Sequence, residues 1–346
     1  MSDTPLRFLI VRLSSIGDIV HALPAVAALG ETYPHAEIDW VVESRHAVLL
    51  EGNPYLRRVV ELDTLGWRRN LVSTATVEEI IRGMSALREH EYAAAIDFQG
   101  LWKSALIAWL SRARERLGFA EYWLREPSAA VFYTQRITFQ TRKHVIESNV
   151  VLVEHLGARP APWRFPLPHN ARDDAYVDAQ LRALATRDFI VMNPGGGWKS
   201  KCWAPENYAA LLRLLVAKYP YHVLLTGSGS EAALLSEILR SADVDRAFYV
   251  PTTVVQSIAL TRRAKLFVGG DTGPLHLAAA VGTPIVAIYG PTDPSRNGPF
   301  SPADIPLWNR GPVDHTRRGA NPDYLQGISI ETVMAAVEER LLRTHE

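Results

Sequence analysis

The chain has 346 residues, a length that fits two domains of ordinary size, and its 47% hydrophobic content excludes a disordered or fibrous protein. Lysine and arginine together number 37, as do aspartate and glutamate, so the bulk charge gives no indication of nucleic-acid binding. One cysteine, Cys202, excludes a disulfide framework and is typical of a reducing compartment.

The first half of the chain alternates short apolar runs with helical patterns. No basic leader precedes the first strand, so we expect a cytoplasmic protein, or one bound to a membrane from that side. Strands are predicted at 8–11, 38–42, 59–62 and 93–96, and helices at 18–32, 46–50, 77–88, 101–111 and 143–156. This alternation favours an open parallel sheet covered on both faces.

A proline-rich segment separates the two halves. Residues 157–170 hold four prolines, which exclude a helix and favour a stiff linker. Beyond it, helices are predicted at 173–184, 206–218, 231–240, 255–263, 272–281 and 328–342, and strands at 189–192, 222–226, 247–250, 266–268 and 285–289. We therefore predict two doubly wound α/β domains that face a cleft, at 1–170 and 171–326, and a final helical segment at 327–346.

A glycine-bracketed helix start in the second half is the most informative segment. Gly269 and Gly270 end a strand, and Asp271 and Thr272 are typical N-cap residues of the helix that follows. A helix start that faces the carboxyl end of a strand binds anions through its free N–H groups and its dipole. The sequence here favours a phosphate group over the alternative, an ordinary capped turn. His276, one helical turn further, could face the phosphates or simply be packed.

Two other glycine turns follow strands in the second half. The loop at 193–205 contains Gly195 and Gly196, whose backbone could wrap an anion, but its spacing fits neither a dinucleotide fingerprint nor a P-loop. Glu231 follows a strand and a glycine turn, where it could favour the helix start or hold ribose hydroxyls. Asp243 and Asp245 have the D-x-D spacing of metal-dependent transferases, but we interpret them as a surface turn, and Cys202 as a packing residue.

In the first half, two turns lie where the carboxyl ends of strands are predicted. The first carries Ser14, Gly17 and Asp18, and on sequence alone Asp18 is most simply an N-cap. Pro24 lies within the predicted helix, which should kink it or delay its start. The second turn carries Gln99 and then Lys103, a lysine at a helix N-terminus, which indicates either an anionic partner or a solvated surface residue.

Basic residues cluster in the first half. Between 112 and 144 the sequence has seven lysines and arginines against three glutamates: Arg112, Arg114, Arg116, Arg125, Arg136, Arg142 and Lys143 against Glu115, Glu121 and Glu126. Arg68 and Arg69 add to them from a loop. Such clusters are usually solvated, but a phosphorylated lipid could bind one together with its neighbouring aromatic residues, Tyr122, Trp123, Phe132 and Tyr133.

Five separated segments, taken in order, resemble the motifs of glycosyltransferase family 9, the lipopolysaccharide heptosyltransferases. They lie at 14–24, 97–105, 193–205, 226–231 and 271–294. The second is closer to the first heptosyltransferase of the inner core than to the second. The third is one residue longer than the family's form, which leaves Lys199 as an alternative to Lys201.

The resemblance implies a GT-B fold whose final helix returns to the N-terminal domain. It implies that Asp18 is the general base, with a pKa raised toward neutrality if the cleft desolvates it. It further implies that Lys201 clamps the diphosphate and that Glu231 holds the ribose. The implied donor site comprises Gly195, Gly196, Lys201, Glu231, Asp271, Thr272, Gly273 and His276, and the implied acceptor site comprises Ser14, Gly17, Arg68, Arg69, Gln99 and Lys103.

The implied reaction is an inverting transfer of heptose from ADP-heptose to the Kdo region of lipid A, at the cytoplasmic face of the inner membrane. The resemblance implies no cofactor and no metal, because Lys201 and the helix start at Thr272 would stabilise the departing ADP. Two alternatives remain, an epimerase of the same architecture and a non-catalytic sensor of nucleotide sugars. The sequence leaves open the sugar, the base, the acceptor position and the oligomeric state.

Overall fold

The computed structural model describes residues 5–69, 73–141, 144–159, 162–197, 201–309, 325 and 327–343. The chain divides into two compact units, residues 1–168 and 169–346. The division falls after residue 168, within the proline-rich segment, where we predicted a boundary after residue 170.

Six parallel strands form the sheet of the first unit within the described residues. They are β1 (Arg7–Val11), β2 (Glu37–Glu43), β3 (Arg58–Leu62), β4 (Ala94–Asp97), β5 (Glu115–Phe119) and β6 (Gln135–Ile137). Their spatial order is β3-β2-β1-β4-β5-β6, and Val11 at the end of β1 lies opposite Asp97 at the end of β4. The side chains of Leu9, Ile10 and Val11 are fully buried, as the apolar run predicted.

The second unit repeats this topology, again with six parallel strands among the described residues. They are β7 (Phe189–Asn193), β8 (His222–Leu225), β9 (Ala247–Tyr249), β10 (Leu266–Gly270), β11 (Ile285–Tyr289) and β12 (Ile305–Trp308). The order β12-β11-β10-β7-β8-β9 is the same doubly wound arrangement, with β7 and β10 at the centre. Gly269 lies opposite Asn193, so these two strands end side by side.

Helices occupy the connections, and most lie close to the predicted positions. In the first unit they are α1 (Ile16–Thr32), α2 (Thr64–Arg69), α3 (Thr74–Ala86), α4 (Trp102–Leu110) and α5 (Val145–Glu154). In the second they are α6 (Ala171–Ala183), α7 (Pro205–Lys218), α8 (Ala232–Ala242), α9 (Val254–Thr261), α10 (Gly273–Ala280), α11 (Pro294–Asn297) and α12 (Ile330–Leu342). No helix among the described residues is long and apolar enough to cross a bilayer.

The helix predicted at 46–50 is part of a 3₁₀ helix, Ser44–Leu50, and the short helices Thr64–Arg69 and Pro294–Asn297 were not predicted. Arg68 and Arg69, which we expected in a loop, lie at the end of the first of these short helices.

Helix α1 differs from its prediction at the start. It begins at Ile16 with Ser15 as the N-cap, and Asp18 lies at the third helical position, where its carboxylate accepts hydrogen bonds from Ser15. Pro24 lies inside the helix, which begins two residues before the predicted start at Asp18, so the proline does not delay the start. The capping pair at the N-terminus fixes the first turn before the proline is reached.

Three strands were missed in the sequence, and two of them, β6 and β12, are edge strands. Two of the five residues of β5 are charged, β6 is only three residues long, and β12 contains Pro306. Edge strands such as β6 and β12 tolerate charge and proline because one of their sides carries no ladder. The β5 strand pairs with β4 and β6, and its charged residues hide the apolar pattern that predicts a strand.

The final helix belongs to the second unit, where it packs against α7, β11 and β12. Val333 and Val337 are fully buried in the core of that unit. The indole N–H of Trp203 donates to the carbonyl of Ile328, 3.0 Å away, and fixes the approach to α12. The helix completes the apolar surface of the second unit. Its return toward the first domain stays a prediction.

Candidate active site

Each sheet has one position where the strand order reverses, which we call its switch point. Ligands of doubly wound folds bind there, outside the carboxyl ends of the strands. In the first unit it lies between β1 and β4, and in the second between β7 and β10. The loops that leave these four strands are 12–15, 98–101, 194–204 and 271–272. Four of the five predicted motifs thus reach the two switch points, two in each unit.

Asp97 anchors the loop after β4. Its buried carboxylate accepts hydrogen bonds from the hydroxyls of Tyr133 (2.7 Å) and Ser104 (2.8 Å) and from the backbone N–H groups of Gln99 (2.8 Å) and Gly100 (3.1 Å). Gly100 has φ +67°, as the turn requires. Burial raises the pKa of Asp97, although these donors oppose the shift. The carboxylate therefore shapes the loop from inside the unit.

Asp18 lies beside this loop with its side chain 39% exposed. Its Oδ2 accepts hydrogen bonds from the backbone N–H (3.0 Å) and the hydroxyl (2.9 Å) of Ser15. Its Oδ1 lies 2.5 Å from Nη2 of Arg12, whose own side chain is only 9% exposed. The other terminal nitrogen of Arg12 donates to the carbonyl of Phe98, so one guanidinium joins the carboxylate to the loop after β4.

The charge around Asp18 decides its protonation. Burial raises the pKa of Asp18, but Arg12, the Ser15 N–H and His21 outweigh it and lower that pKa to about 2. We expected desolvation to raise the pKa toward neutrality, and Arg12 reverses that expectation. The carboxylate is therefore ionised at every physiological pH, and it is oriented by fixed donors.

The other residues predicted on the acceptor side are unequally placed. The carbonyl oxygen of the Gln99 side chain accepts from the backbone N–H of Leu13 at 2.8 Å and ties the two loops together. Lys103 lies in the first turn of α4, 3.5 Å from the Thr64 hydroxyl. Gly17 is buried in the first turn of α1, and Ser14 is half-buried just before it. The side chains of Arg68 and Arg69 lie outside the described residues.

The basic cluster is partly compensated. Arg114 pairs with Glu91 and Arg136 with Glu121. Tyr133, which we grouped with the aromatic neighbours of the basic cluster, is buried against Asp97 and cannot meet a ligand. Arg142 and Lys143 lie outside the described residues.

In the second unit, Asp271 is the centre of a buried polar network. Its carboxylate lies 2.5 Å from Nζ of Lys201 and 3.2 Å from Nε2 of His276, and accepts from the hydroxyl of Thr292 (2.7 Å) and the amide of Asn297 (3.0 Å). The Asp271 side chain is 2% exposed and that of Lys201 15%. Burial raises the pKa of Asp271, but His276 and Lys201 outweigh it and hold the pKa far below its usual value.

This network changes the interpretation of two predicted donor residues, Lys201 and His276. The Lys201 ammonium lies at the switch point, where the buried carboxylate of Asp271 fixes its position. His276 is buried and contacts Asp271, which favours the packed alternative. Lys199, the rival of Lys201, lies outside the described residues.

The start of α10 lies next to this network. Thr272 is the N-cap, Gly273 the first helical residue, and Pro274 follows in the first turn. The Thr272 hydroxyl lies 3.5 Å from the side-chain oxygen of Asn193, at the end of β7. The first N–H groups of α10 thus lie at the switch point, where the sequence predicts an anion site.

Glu231 lies against the glycine loop after β7. Its carboxylate accepts from the backbone N–H and the hydroxyl of Ser228, both at 2.7 Å. A methyl group placed on Gly195 would lie 1.9 Å from Oε1 of Glu231, so a larger residue there would displace this carboxylate. The Cys202 thiol lies 3.7 Å from the carbonyl of Gly196, and burial raises its pKa, in agreement with a packing role.

The D-x-D pair is a surface turn, as interpreted. Asp243 is the left-handed C-cap of α8, and the Asp245 side chain is 86% exposed. Among the described residues, no group of three or more histidine, cysteine or acidic side chains could hold a metal ion. Sequence reasoning missed Arg12, Thr292 and Asn297, which hold the two carboxylates.

Comparison with known proteins gives a family. The model of "Glycosyltransferase family 9 (heptosyltransferase)" matches residues 80–322. Lipopolysaccharide heptosyltransferase 1 of Pseudomonas aeruginosa is 31% identical over 308 residues, which cover 87% of this chain and 83% of that protein. Lipopolysaccharide heptosyltransferase 1 of Escherichia coli K12 is 29% identical over 85% of this chain and 91% of that protein.

Solved structures extend the similarity over nearly the whole fold. The E. coli heptosyltransferase WaaC with ADP has a TM-score of 0.79 and 26% identity, and covers 97% of this chain and 100% of its own. The same enzyme with ADP-2-deoxy-2-fluoro heptose has a TM-score of 0.76. The predicted GT-B class, with two doubly wound α/β domains, is thus confirmed.

Proposed function

The chain belongs to glycosyltransferase family 9, and on that premise we propose that it transfers heptose from ADP-heptose to the Kdo region of a lipid A precursor. It is a glycosyltransferase, which leaves the epimerase and sensor alternatives without support. The observation that carries the proposed mechanism is Asp18, a half-exposed carboxylate held in one orientation at the first switch point.

The donor is proposed to bind at the switch point of the second unit. The N–H groups at the start of α10 would receive the diphosphate, with Lys201 beside them as a fixed positive charge. Glu231, next to the glycine loop, would accept from the ribose hydroxyls. Support comes from the relative solved with ADP and with a fluorinated ADP-heptose, whose fold covers this chain.

The proposed chemistry is a single inverting displacement. The acceptor hydroxyl gives its proton to Asp18 as its oxygen bonds to the anomeric carbon of heptose. The bond from that carbon to the β-phosphate oxygen breaks, and ADP leaves with the electron pair. A base of low pKa takes the proton late, when the attacking oxygen has become acidic, which suits a transition state with oxocarbenium character.

The departing charge is proposed to be stabilised by fixed groups. Lys201 and the dipole of α10 are in place before the reaction, so no reorganisation is needed as ADP leaves. Asp271 and its donors hold the ammonium of Lys201 in position. In this mechanism Asp271 acts through Lys201.

The acceptor is proposed to bind at the first switch point, near Gln99 and Lys103, at the cytoplasmic face of the inner membrane. The Lys103 ammonium, at the start of α4, would meet a carboxylate or phosphate of the acceptor.

Mass analysis of the product tests this function. The protein is incubated with ADP-heptose and a Kdo-capped lipid A precursor. We expect the acceptor to gain one heptose as ADP is released, with an inverted anomeric centre in the product. Conversion of ADP-heptose to another sugar nucleotide without acceptor would contradict the proposal, as would an unchanged acceptor.

A further inference from the structure

Helix α4 carries an exposed aromatic surface that the proposed chemistry does not use. We define the α4 face as Trp102, Leu106, Trp109, Val131 and Phe132. The exposed fractions are 46% for Trp102, 39% for Leu106, 50% for Trp109 and 65% for Val131. The ring centroid of Phe132 lies 5.1 Å from that of Trp102 and 6.1 Å from that of Trp109, so the residues form one continuous patch.

This patch is not the packing side of α4. Ala105 and Ala108, on the other side of the helix, are fully buried and fill the core. Positions 102, 106 and 109 have the spacing that places residues on one side of a helix. The helix therefore has a small-residue face turned inward and a tryptophan face turned outward, the reverse of what a free aqueous surface favours.

Positive charge surrounds the α4 face. Arg112 follows the helix and its backbone N–H donates to the carbonyl of Trp109, while Arg125 is exposed near the other end. Neither arginine makes an ion pair with another described residue. The guanidinium of Arg116 donates to the backbone carbonyl of Phe132. Of the nearby acids, Glu126 accepts from the backbone N–H of Trp102.

From these observations we propose that the α4 face docks on an anionic bilayer surface. Tryptophan is favoured at the level of the lipid head groups, and arginine beside it is attracted to anionic lipids. The inference rests on the proposed function in one respect: α4 begins at the proposed acceptor site, so acyl chains of a lipid acceptor would continue from Lys103 toward this face. An apolar face ringed by arginines fits such a surface better than it fits an uncharged protein.

Sedimentation with vesicles tests the docking directly. The full chain and the variant Trp109→Ser/Val131→Ser are mixed with vesicles of phosphatidylethanolamine and phosphatidylglycerol, or of phosphatidylcholine alone. We expect the unchanged chain to bind the anionic vesicles preferentially, and the variant to bind them on the order of tenfold more weakly. Arg112→Gln/Arg125→Gln should weaken binding by about fivefold or more, less so at high salt.

A matched control uses exposed leucines of the second unit. Leu214 and Leu342 are 43% and 72% exposed, so Leu214→Ser/Leu342→Ser removes similar apolar surface elsewhere. Its vesicle binding should equal that of the unchanged chain. Equal loss in this control, unchanged binding in Trp109→Ser/Val131→Ser, or equal binding to neutral vesicles would overturn the proposal.

Turnover separates the docking face from the proposed function. On a water-soluble deacylated acceptor, Trp109→Ser/Val131→Ser should transfer at the rate of the unchanged chain, and on a vesicle-embedded acceptor it should be slower. Equal slowing with both acceptors would overturn the docking role. A chain that binds anionic vesicles through this face but transfers nothing would overturn the proposed function and support the docking.

Discussion

The two switch points hold the same chemical pair, a carboxylate beside a cation, in opposite surroundings. Asp18 pairs with Arg12 and keeps 39% of its side chain exposed, whereas Asp271 pairs with Lys201 and keeps 2%. In the first pair the Arg12 side chain is buried and the Asp18 carboxylate is accessible to a ligand. In the second the carboxylate is buried and the cation is held by it.

This reversal assigns different roles to two similar pairs. An exposed carboxylate can take a proton from a ligand, while one enclosed by four donors can only position them. The two pairs share their position in the fold and their residue types, so these features do not determine the role of the carboxylate. That role depends on which partner of the pair, the carboxylate or the cation, is buried. The predictions that follow separate the two roles.

The largest effect is expected from Asp18→Asn. Removing a general base lowers the transfer rate by about 10²–10⁴-fold, because the acceptor proton has no destination. Steady-state turnover measures this. The matched control is Asp178→Asn, a half-exposed aspartate 3.4 Å from Arg263, which should transfer normally. Normal transfer by Asp18→Asn would assign the proton to another group.

The second effect is on stability, from Asp271→Asn. Breaking a buried pair leaves Lys201 uncompensated and should lower the free energy of unfolding by about 3–5 kcal/mol, measured by urea denaturation. ADP affinity should fall at least about tenfold, since Lys201 loses its position. Asp304→Asn breaks a similarly buried pair with Arg340, 3.0 Å away, and should lose stability but keep ADP affinity. Equal ADP loss in both would contradict a specific role for Asp271.

The third effect is a change of pH dependence in Arg12→Met. Arg12 lowers the pKa of Asp18 to about 2, so the unchanged chain should show no acid limb from this group above about pH 3 in kcat/KM. Without the cation the pKa of Asp18 rises, so the base is protonated, and the rate falls, at a higher pH. Arg12→Lys keeps the charge and should keep the profile. An identical acid limb in Arg12→Met would show that Arg12 does not control the base.

The smallest effect is expected from Tyr133→Phe. The substitution removes one hydrogen bond to buried Asp97 and should lower the free energy of unfolding by about 1–3 kcal/mol. Tyr122→Phe changes an exposed tyrosine and should leave thermal unfolding unchanged. A loss of the same size in both variants would mean that the Asp97 network is not what stabilises the loop.

The sequence correctly predicted the elements whose structure depends on residues that are close together in the chain. The apolar runs predicted the central strands, and the glycines and caps at 269–273 predicted the helix start, because both depend on neighbours in the chain. The prediction failed at β5, β6 and β12, because charged residues, short length and proline, respectively, conceal these strands.

The ligands of the two carboxylates could not be predicted for a different reason. Thr292 and Asn297 lie 21 and 26 residues beyond Asp271 in the sequence. Phe98, whose carbonyl orients Arg12, lies 86 residues beyond Arg12. Such contacts depend on the three-dimensional fold. The pKa of Asp18 was therefore expected to move in the wrong direction, because a neighbouring cation was not visible in the motif.

The division of roles is tested most directly by calorimetric titration of ADP into Asp18→Asn and Asp271→Asn, side by side. Asp18→Asn should bind ADP as tightly as the unchanged chain, and Asp271→Asn at least about tenfold more weakly. Weakened binding by Asp18→Asn, or unchanged binding by Asp271→Asn, would contradict the assignment of the exposed carboxylate to the reaction and the buried one to the donor.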